Sequence, residues 1–299
     1  MLVGLGFAQS PKTPKHPSIE QLLNQSLFPR QFTGIGDWDD EENWASGTLP
    51  SEGDTVVIVP GAKCWMNDVF DEDNPVPYKI YIIDNDSIEK PLKRCGQLFL
   101  PQDAEVQATF MKKIRGWKKP YVEYDQNGNW YLVSFPTNVD KLSDTLYIPD
   151  FRGAGMITGG NSYDLYFFKT WWKYSDSDQG QQPVAYEDEW RNYRYYLPGT
   201  NVDMDGETVT LQDFKAEYNG YLYANYNDVD LHFTGDLYTQ PYKEYQLTAE
   251  SDGYDVKQNG VHLVGNPYPS NAKIDYDTSN DIDIEGLYMM NPDRDDVVC

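Results

Sequence analysis

The sequence predicts an all-β protein, in which a short parallel β-helix-like region or sheet is followed by an antiparallel β-sandwich. Aromatic residues make up 15% of the 299 residues, with 24 Tyr and 8 Trp, and aromatic and β-branched residues favour strands. Short apolar runs bounded by Gly, Pro, Asn and Asp recur along most of the chain, as expected for strands joined by turns. Only residues 18–28 have the pattern of a helix.

The chain is strongly acidic, with a formal net charge of −24 and a pI near 4.3. A surface of this charge repels phosphate backbones and anionic lipid heads, so we expect no nucleic-acid partner. No apolar run approaches the roughly 18 residues of a membrane span, so we expect no membrane insertion. The acidity suits a secreted protein whose charge keeps an aromatic-rich surface soluble, or one that binds divalent cations.

Residues 1–30 are predicted to hold the remainder of a signal peptide, a linker and a short helix. Residues 1–9 are mostly small and apolar, as at the end of a secretory signal, although an ordinary apolar N-terminus is the alternative. Residues 11–17 contain three prolines and form an extended linker. Ser18 and Gln21 have the spacing of a helix-capping box, and we expect the helix to cover an open end of the next domain.

Residues 31–118 are predicted to form the β-helix-like region. Their β runs, separated by acidic turns, suit successive coils of a small parallel β-helix or one sheet of a sandwich. Trp38 and Trp44 are expected to cover the apolar end of the first coil, because an open strand edge must be blocked. The predicted runs are residues 56–59, 79–83, 97–100 and 105–110.

Residues 119–299 are predicted to form the β-sandwich module. Asn127-Gly128 is a strong hairpin turn between the runs 121–124 and 130–135. Further alternating runs separated by turns argue for antiparallel strands. These runs are residues 164–170, 220–224 and 228–233.

The chain also contains a repeat. Aligning Leu132-Val133 with Leu263-Val264 also aligns Pro136 with Pro267, at a constant offset of 263 − 132 = 131. Residues 165–168 have a similar counterpart in residues 287–290. We therefore expect one complete module and the opening of a second, truncated copy, in which Asn266 and the prolines end a strand and direct the chain outward.

Several motifs follow one another in a distinctive order. Residues 38–58 contain a W…NW…G-x-L-P-x-x-G-D-x-V-x-I opening. Residues 130–136, 220–224, 233–237 and 263–270 are similar, in that order, to the elements "W-x-L-I-S-S-P", "G-Y-L-Y", "F-T-G-x-L" and "L-V-G-N-P-Y-P-S". Together these motifs resemble a family of large secreted and cell-surface proteins of Bacteroidetes-type bacteria. The resemblance covers roughly residues 32–292 and implies a secreted surface protein, often of many domains, with no established catalytic activity.

The sequence also departs from that pattern. Ala272-Lys273-Ile274-Asp275 continues the last element with one residue more than the usual spacing.

The only basic cluster, residues 111–119, is expected to pair with nearby acidic residues at the domain junction. The alternative is an anion or partner site. Cys64 and Cys95 form a disulfide only in an oxidising compartment and with suitable geometry, and the sequence leaves their pairing open.

Two sets of residues are candidate binding sites. The aromatic side chains Trp171, Trp172, Tyr174, Trp190 and Tyr193 flank a polar loop and form a candidate glycan surface, or else line the sandwich core and its rim. Asn201, Asp203 and Asp205 precede Gly206 with the spacing of a calcium loop, or else form a hairpin turn. The position where a bidentate glutamate would complete a calcium loop is Gln212, and no other cofactor is expected.

The expected function is therefore a non-catalytic structural or adhesive role in a secreted or cell-surface protein, of which this chain is a fragment. The chain has no H-E-x-x-H, G-x-S-x-G or glycine-rich phosphate motif, so we expect no enzyme. Two alternatives stay open: a glycan-binding module that uses exposed aromatic residues, and a polysaccharide-cleaving enzyme on a β-helix scaffold with paired carboxylates. A glycan or a host or cell-surface component is the expected partner.

Overall fold

The fold is almost entirely β, which confirms the predicted class. In the described part of the chain the only α-helix is α1 (Ile19–Leu22), and a 3₁₀ turn covers Glu41–Asn43. The computed structural model describes residues 16–68, 70–71, 73–85, 95–114, 131–134, 136–138, 146–147, 163–168, 190–192, 220–225, 228–245, 263–275, 289–290 and 297–298. The predicted signal remnant and the Asn127-Gly128 hairpin lie outside these residues.

The first seven strands wind into a stack of parallel coils. Odd-numbered strands pair in parallel in one sheet, in the order β1-β3-β5-β7, and even-numbered strands pair in parallel in a second, in the order β2-β4-β6. The chain thus passes repeatedly from one sheet to the other, as in a short β-helix. The strands are β1 (Gln31–Phe32), β2 (Ile35–Asp37), β3 (Thr55–Ile58), β4 (Lys63–Trp65), β5 (Lys79–Asp84), β6 (Gln97–Phe99) and β7 (Gln107–Ile114).

Apolar side chains from both sheets fill the interior of the stack. The shared core contains Ile58, Ile82 and Phe110 from the longer sheet and Cys64 and Leu98 from the shorter one. Successive side chains of these strands point to opposite faces, so alternate residues enter this core, while outward-facing residues of the long sheet such as Val57 and Tyr81 are buried in a second cluster. Burial of this core provides the main drive for coil stacking.

Trp38 and Trp44 close the first coil from within. Both are almost fully buried, their rings meet edge to face with centroids 4.8 Å apart, and Trp44 Nε1 donates to the Trp38 carbonyl at 2.8 Å. Trp44 also forms an antiparallel bridge with Phe32 of β1, which is the edge strand of the long sheet. The indoles therefore fill the end of the stack and protect its edge.

The second half of the chain adds antiparallel strands. All eight residues of β7 pair with β14, so the long sheet runs on from the stack into residues that follow position 118. Strands β9 and β10 also pair with β14, while β12, β11, β13 and β8 form a separate antiparallel sheet in that order. These strands are β8 (Tyr131–Ser134), β9 (Thr137–Asn138), β10 (Leu146–Tyr147), β11 (Tyr163–Phe168), β12 (Trp190–Asn192), β13 (Gly220–Asn225), β14 (Val229–Leu237), β15 (Met289–Met290) and β16 (Val297–Val298).

The two antiparallel layers share one core. Tyr221 and Tyr223 of β13 and Val133 of β8 belong to the same buried cluster as Phe110 of β7 and Phe233 of β14. The four-stranded sheet therefore packs over the end of the long sheet, as expected of a sandwich. The division into residues 31–118 and 119–299 stays a prediction, while the long sheet crosses that boundary without interruption.

Helix α1 lies on the outer face of the long sheet rather than over an open end, so the expected placement is wrong. Ile19 and Leu22 pack with Val57, Tyr81 and Met111 in a second core cluster. The helix is also shorter than the pattern over 18–28 predicted, because the chain turns after its single turn of helix. The flat apolar face offers more area to bury than the end of a coil does.

Polar contacts fix α1 at its start. Ser18 and Gln21 form the predicted capping box, with each side chain accepting a hydrogen bond from the other residue's backbone N–H. Asp230 of β14 accepts a bond from the Ile19 N–H at 2.9 Å and pairs with Lys113 at 3.1 Å.

The described lysines of the basic cluster lie beside carboxylates of neighbouring strands. Lys112 pairs with Asp84 of β5, and Lys113 pairs with Asp230 of β14.

A histidine pair lies next to the helix on the same face. The rings of His16 and His232 have centroids 4.2 Å apart, and His16 Nδ1 lies 3.3 Å from the Tyr81 hydroxyl. Burial and the neighbouring His16 hold the pKa of His232 down at about 4, and burial and the charge of Lys79 lower the pKa of His16. The pair is therefore neutral at pH 7 and holds the N-terminal segment against the sheet.

Replacing Gly96 by alanine should destabilise the stack by about 1–3 kcal/mol, as overpacking does. A Cβ at this position would lie 2.5 Å from the Ile58 carbonyl oxygen and 2.9 Å from that of Val59, and backbone atoms cannot rotate away. Denaturant unfolding of Gly96→Ala measures the loss. Gly53→Ala is the matched control. Its Cβ would meet open space, and only its φ of 82° is unfavourable for alanine. We expect this backbone strain to lower the free energy of unfolding by about 1 kcal/mol. Equal losses would contradict the steric explanation.

Acid should weaken the fold through His232 before pH 4 is reached. An unfolded histidine binds its proton near pH 6.5 and the folded His232 only near pH 4, so the unfolded chain holds more protons in this window. Stability attributable to His232 is complete above pH 6.5 and is lost as the pH falls towards 4, by about 1–2 kcal/mol once solvent screening near the protein surface is allowed for.

The measurement is the free energy of unfolding of the unaltered protein and of His232→Gln at pH 7 and pH 5. The difference between the two proteins should shrink at pH 5, because His232→Gln has no proton to bind. His262→Gln, the same change at another histidine, controls for the general acid sensitivity of an acidic chain. A parallel pH dependence in the unaltered protein and His232→Gln would show that the pair does not couple to folding.

Candidate functional site

The segments at residues 132–136 and 263–271, which the sequence alignment pairs, meet at one cavity, which we call the junction cavity. We refer to these segments as the first and the second copy, after the predicted repeat. Its volume is about 210 Å³. The first copy, the second copy and the last coil of the stack each contribute part of the wall. The lining residues are Leu132, Val133, Ser134 and Pro136 from the first copy, Asn266, Tyr268, Pro269, Ser270 and Asn271 from the second, and Asp84, Cys95, Gln97, Phe110 and Lys112 from the stack.

The second copy's opening segment, residues 263–271, bonds to the edge of the short sheet. The Leu98 N–H of β6 donates to the Pro269 carbonyl at 3.0 Å, and the Asn271 N–H donates to Gln97 Oε1 at 3.2 Å. Gln97 is only 4% exposed, although its side chain lies on the outward face of β6. The opening segment therefore covers backbone and side-chain groups that an edge strand would otherwise present to solvent.

Asn266 gives the opening segment its shape. Its Oδ1 accepts a bond from the Tyr268 N–H at 3.0 Å, and its Nδ2 donates to the Ser270 carbonyl at 2.7 Å. Pro267 and Pro269 have no N–H to satisfy, and the Pro269 carbonyl accepts the bond from β6. The sequence Gly-Asn-Pro-Tyr-Pro-Ser thus folds back onto the stack, and the expectation that it directs the chain outward is wrong.

Contacts on the sandwich side hold the same segment. The Tyr245 hydroxyl donates to the Gly265 carbonyl at 2.7 Å, and the Ser134 hydroxyl, from the first copy, donates to the Asn266 carbonyl at 3.4 Å. Leu263 lies directly over Gly220, where a Cβ would come within 2.6 Å of the Leu263 Cγ. Glycine is needed at the start of β13 because a leucine of the second copy occupies the space above it.

The electrostatics of the cavity wall favour a structural role for its ionisable groups. Asp84 and Lys112 form an ion pair whose side chains are only 13% and 20% exposed. Burial, and then the charge of Asp84, raises the pKa of the Cys95 thiol far above its usual range. A protonated thiol is a weak nucleophile and a poor metal ligand. Burial likewise raises the pKa of Tyr268.

Cys64 and Cys95, the two described cysteines, are both free thiols. Cys64 of β4 lies opposite Leu98 of β6. Cys95 precedes Leu98 by three residues and lies before the start of β6, a displacement of about 10 Å at the 3.3 Å per residue of extended chain. A disulfide spans at most about 7 Å between Cα atoms. The pairing that the sequence left open would require β4 and β6 to slide.

The sequence-predicted site residues lie almost wholly outside the described part of the chain. Trp190 begins β12, where its backbone pairs with Phe168. The glycan candidates Trp171, Trp172, Tyr174 and Tyr193 and the calcium candidates Asn201, Asp203 and Asp205 are not among the described residues. Both candidate sites therefore stay predictions.

The described residues contain neither a candidate metal-binding group nor a candidate membrane-spanning helix. In these ranges, no three His, Cys, Asp or Glu side chains form a group that could hold a metal ion. Nor do the described ranges contain a helix with the length and apolar character needed to span a membrane. Comparison of the whole chain with protein-family models, curated proteins and solved structures gave no match.

The sequence alignment pairs Leu132-Val133 with Leu263-Val264, but it does not indicate that the two segments contact each other. The sequence held one signal of this contact, the alignment of Pro136 with Pro267. Both prolines are buried in the structure. Alignment shows which residues are equivalent and does not show that they are neighbours. The junction cavity between the two copies is also lined by Gln97 and Cys95, which belong to neither copy.

Gly220→Ala and Leu263→Ala should interact in a double-mutant cycle. Gly220→Ala drives Leu263 out of place, and Leu263→Ala removes a half-buried side chain at a cost of about 1–2 kcal/mol, below the range for a fully buried leucine. In the double variant the new Cβ has room, so the combined loss should fall short of the sum by about 1 kcal/mol. Chemical denaturation measures all four proteins.

The control pairs Gly220→Ala with Ile274→Ala, a change at an apolar side chain that is 56% exposed just beyond the opening segment. Those two losses should add. Additivity of the Gly220 and Leu263 changes as well would mean that the leucine does not rest on the glycine in solution.

Proposed function

We propose that the chain is a non-catalytic structural or adhesive module of a secreted, cell-surface protein, and that successive copies of the module are fastened by the opening segment of the next copy. The observation that carries this is the junction cavity, where the second copy's residues 263–271 bond to the last coil and to the first copy. A segment that begins one module and completes the packing of the previous one leaves little freedom between them.

The continuity of the long sheet also supports a spacer role. The coil stack and the antiparallel layer are joined along all eight residues of β7, and such a ladder must break as a unit. The net charge of −24 keeps a long, aromatic-rich polypeptide soluble and self-repelling. The motif resemblance to bacterial surface proteins points in the same direction.

Protease treatment of intact source cells tests the proposal. Trypsin added to washed cells should release peptides of this chain, as expected of a protein on the outer surface. A cytosolic protein measured in the same supernatant controls for lysis. Peptides of this chain that appear only after the cells are broken would exclude the surface location.

The same experiment with proteinase K in place of trypsin tests the fastening role with Asn266→Ala, because that protease does not require a lysine or arginine at the cleaved bond. This change removes both bonds that shape the opening segment, so the surface-displayed variant should be cleaved near residue 266 several times faster. Lys273→Ala is the control, because its side chain is 86% exposed and pairs only with the equally exposed Asp275. Equal cleavage of Asn266→Ala and Lys273→Ala would count against the fastening role.

A further inference from the structure

The outer face of the short sheet presents a stacked pair of aromatic rings. Trp65 of β4 and Phe99 of β6 are direct partners in the parallel register. Their side chains point away from the core, since the alternate residues Cys64 and Leu98 are buried. The two rings are nearly parallel, at 8°, with centroids 4.9 Å apart, and both side chains stay partly exposed. We call this pair the aromatic ledge.

A groove of about 190 Å³ lies beside the aromatic ledge. Trp65, Phe99, Leu100 and Pro101 supply apolar walls, and Asn67 supplies a polar one. Asn67 Nδ2 donates to Asp37 Oδ1 at 3.3 Å, and Asp37 is the β2 neighbour of Trp65 in the register. An amide and a carboxylate, both on exposed residues, are thus held in a fixed relation next to the rings.

We propose that the aromatic ledge and its groove bind a neutral glycan, one pyranose ring at a time. Stacking covers one face of each ring and leaves the opposite face clear of its partner. The C–H bonds on one face of a pyranose carry partial positive charge and lie favourably over such a negative aromatic face. The hydroxyls at the edge of the sugar can donate to the Asp37 carboxylate and exchange hydrogen bonds with the Asn67 amide. Binding sites commonly combine apolar walls with a few fixed polar groups in this way.

The volume of the groove and the charge around it limit the class of ligand further. Sites for drug-sized ligands occupy about 300–1,000 Å³, so a groove of 190 Å³ suits a single sugar ring at a time. Acidic residues lie near the aromatic ledge. Burial raises the pKa of Cys64, and the charges of Asp37 and Asp39 raise it further. Burial and then the charges of Asp68 and Asp39 likewise raise the pKa of Tyr78. A local negative potential on a chain of net charge −24 repels anionic polysaccharides and nucleic acids alike.

This site differs from the aromatic surface predicted from the sequence around Trp171 and Trp190. It also does not depend on the proposed structural role, because the aromatic ledge lies on the stack and shares no lining residue with the junction cavity. A structural module that carries the aromatic ledge would also adhere to glycans.

The test is titration calorimetry of the full chain with three neutral oligosaccharides, cellohexaose, xylohexaose and mannohexaose, and with polygalacturonic acid as the anionic probe. At least one neutral probe should bind, and the anionic polymer should not. Trp65→Ala should weaken that binding at least about tenfold, equivalent to 1.4 kcal/mol. Asn67→Ala, at an exposed position, should weaken it about threefold or more through the lost hydrogen bond.

Tyr242→Ala is the matched control, since it removes an aromatic side chain that is 68% exposed elsewhere on the described surface. It should leave binding unchanged. The thermal transition of each variant shows whether it is folded, and Asn67→Ala keeps the test valid if Trp65→Ala is not. Absence of binding to all three neutral probes, unchanged binding in Asn67→Ala, or preference for polygalacturonic acid would each overturn the proposal.

Discussion

The architecture depends on the double pairing of β7. One edge of this strand continues the parallel stack through β5, and the other edge pairs antiparallel with β14 along its whole length. Its inward face contributes Phe110 and Ile114 to the main core, while its outward face contributes Met111 to the cluster under α1. A single strand thus joins the stack, the sandwich and the helix, and changes to it affect all three.

The second recurring constraint is the cost of an open sheet edge. The chain covers edges with whatever lies nearest in the fold: Trp44 beside β1, β14 beside β7, and the opening segment of the second copy beside β6. The segment at β6 contributes the Pro269 carbonyl as an acceptor and the Asn271 N–H as a donor rather than a full ladder. Its irregular sequence is therefore suited to ending a sheet, whereas a regular strand would have extended it and exposed a new edge.

The sequence was sufficient for features that local chemistry controls. The β runs, the capping box of Ser18 and Gln21 and the burial of Ile19 and Leu22 all follow from spacing and residue type. Pairings between distant segments were not predictable in this way. Nothing in residues 107–114 indicates that β14 is their partner, and nothing in Gly220 indicates that Leu263 lies above it. Likewise, Trp65 and Phe99 look like isolated aromatic residues until the coil register places them together.

The separation between β7 and its partner has a consequence for folding. Paired residues of β7 and β14 are between 229 − 114 = 115 and 236 − 107 = 129 positions apart, so the stack is synthesised long before β14 and the closure of this loop is slow. During that interval β7 presents an unpaired edge to other nascent chains. Lys113 is suited to this period, because a charge on an edge strand discourages pairing with a foreign strand. Its carboxylate partner Asp230 arrives with the correct strand.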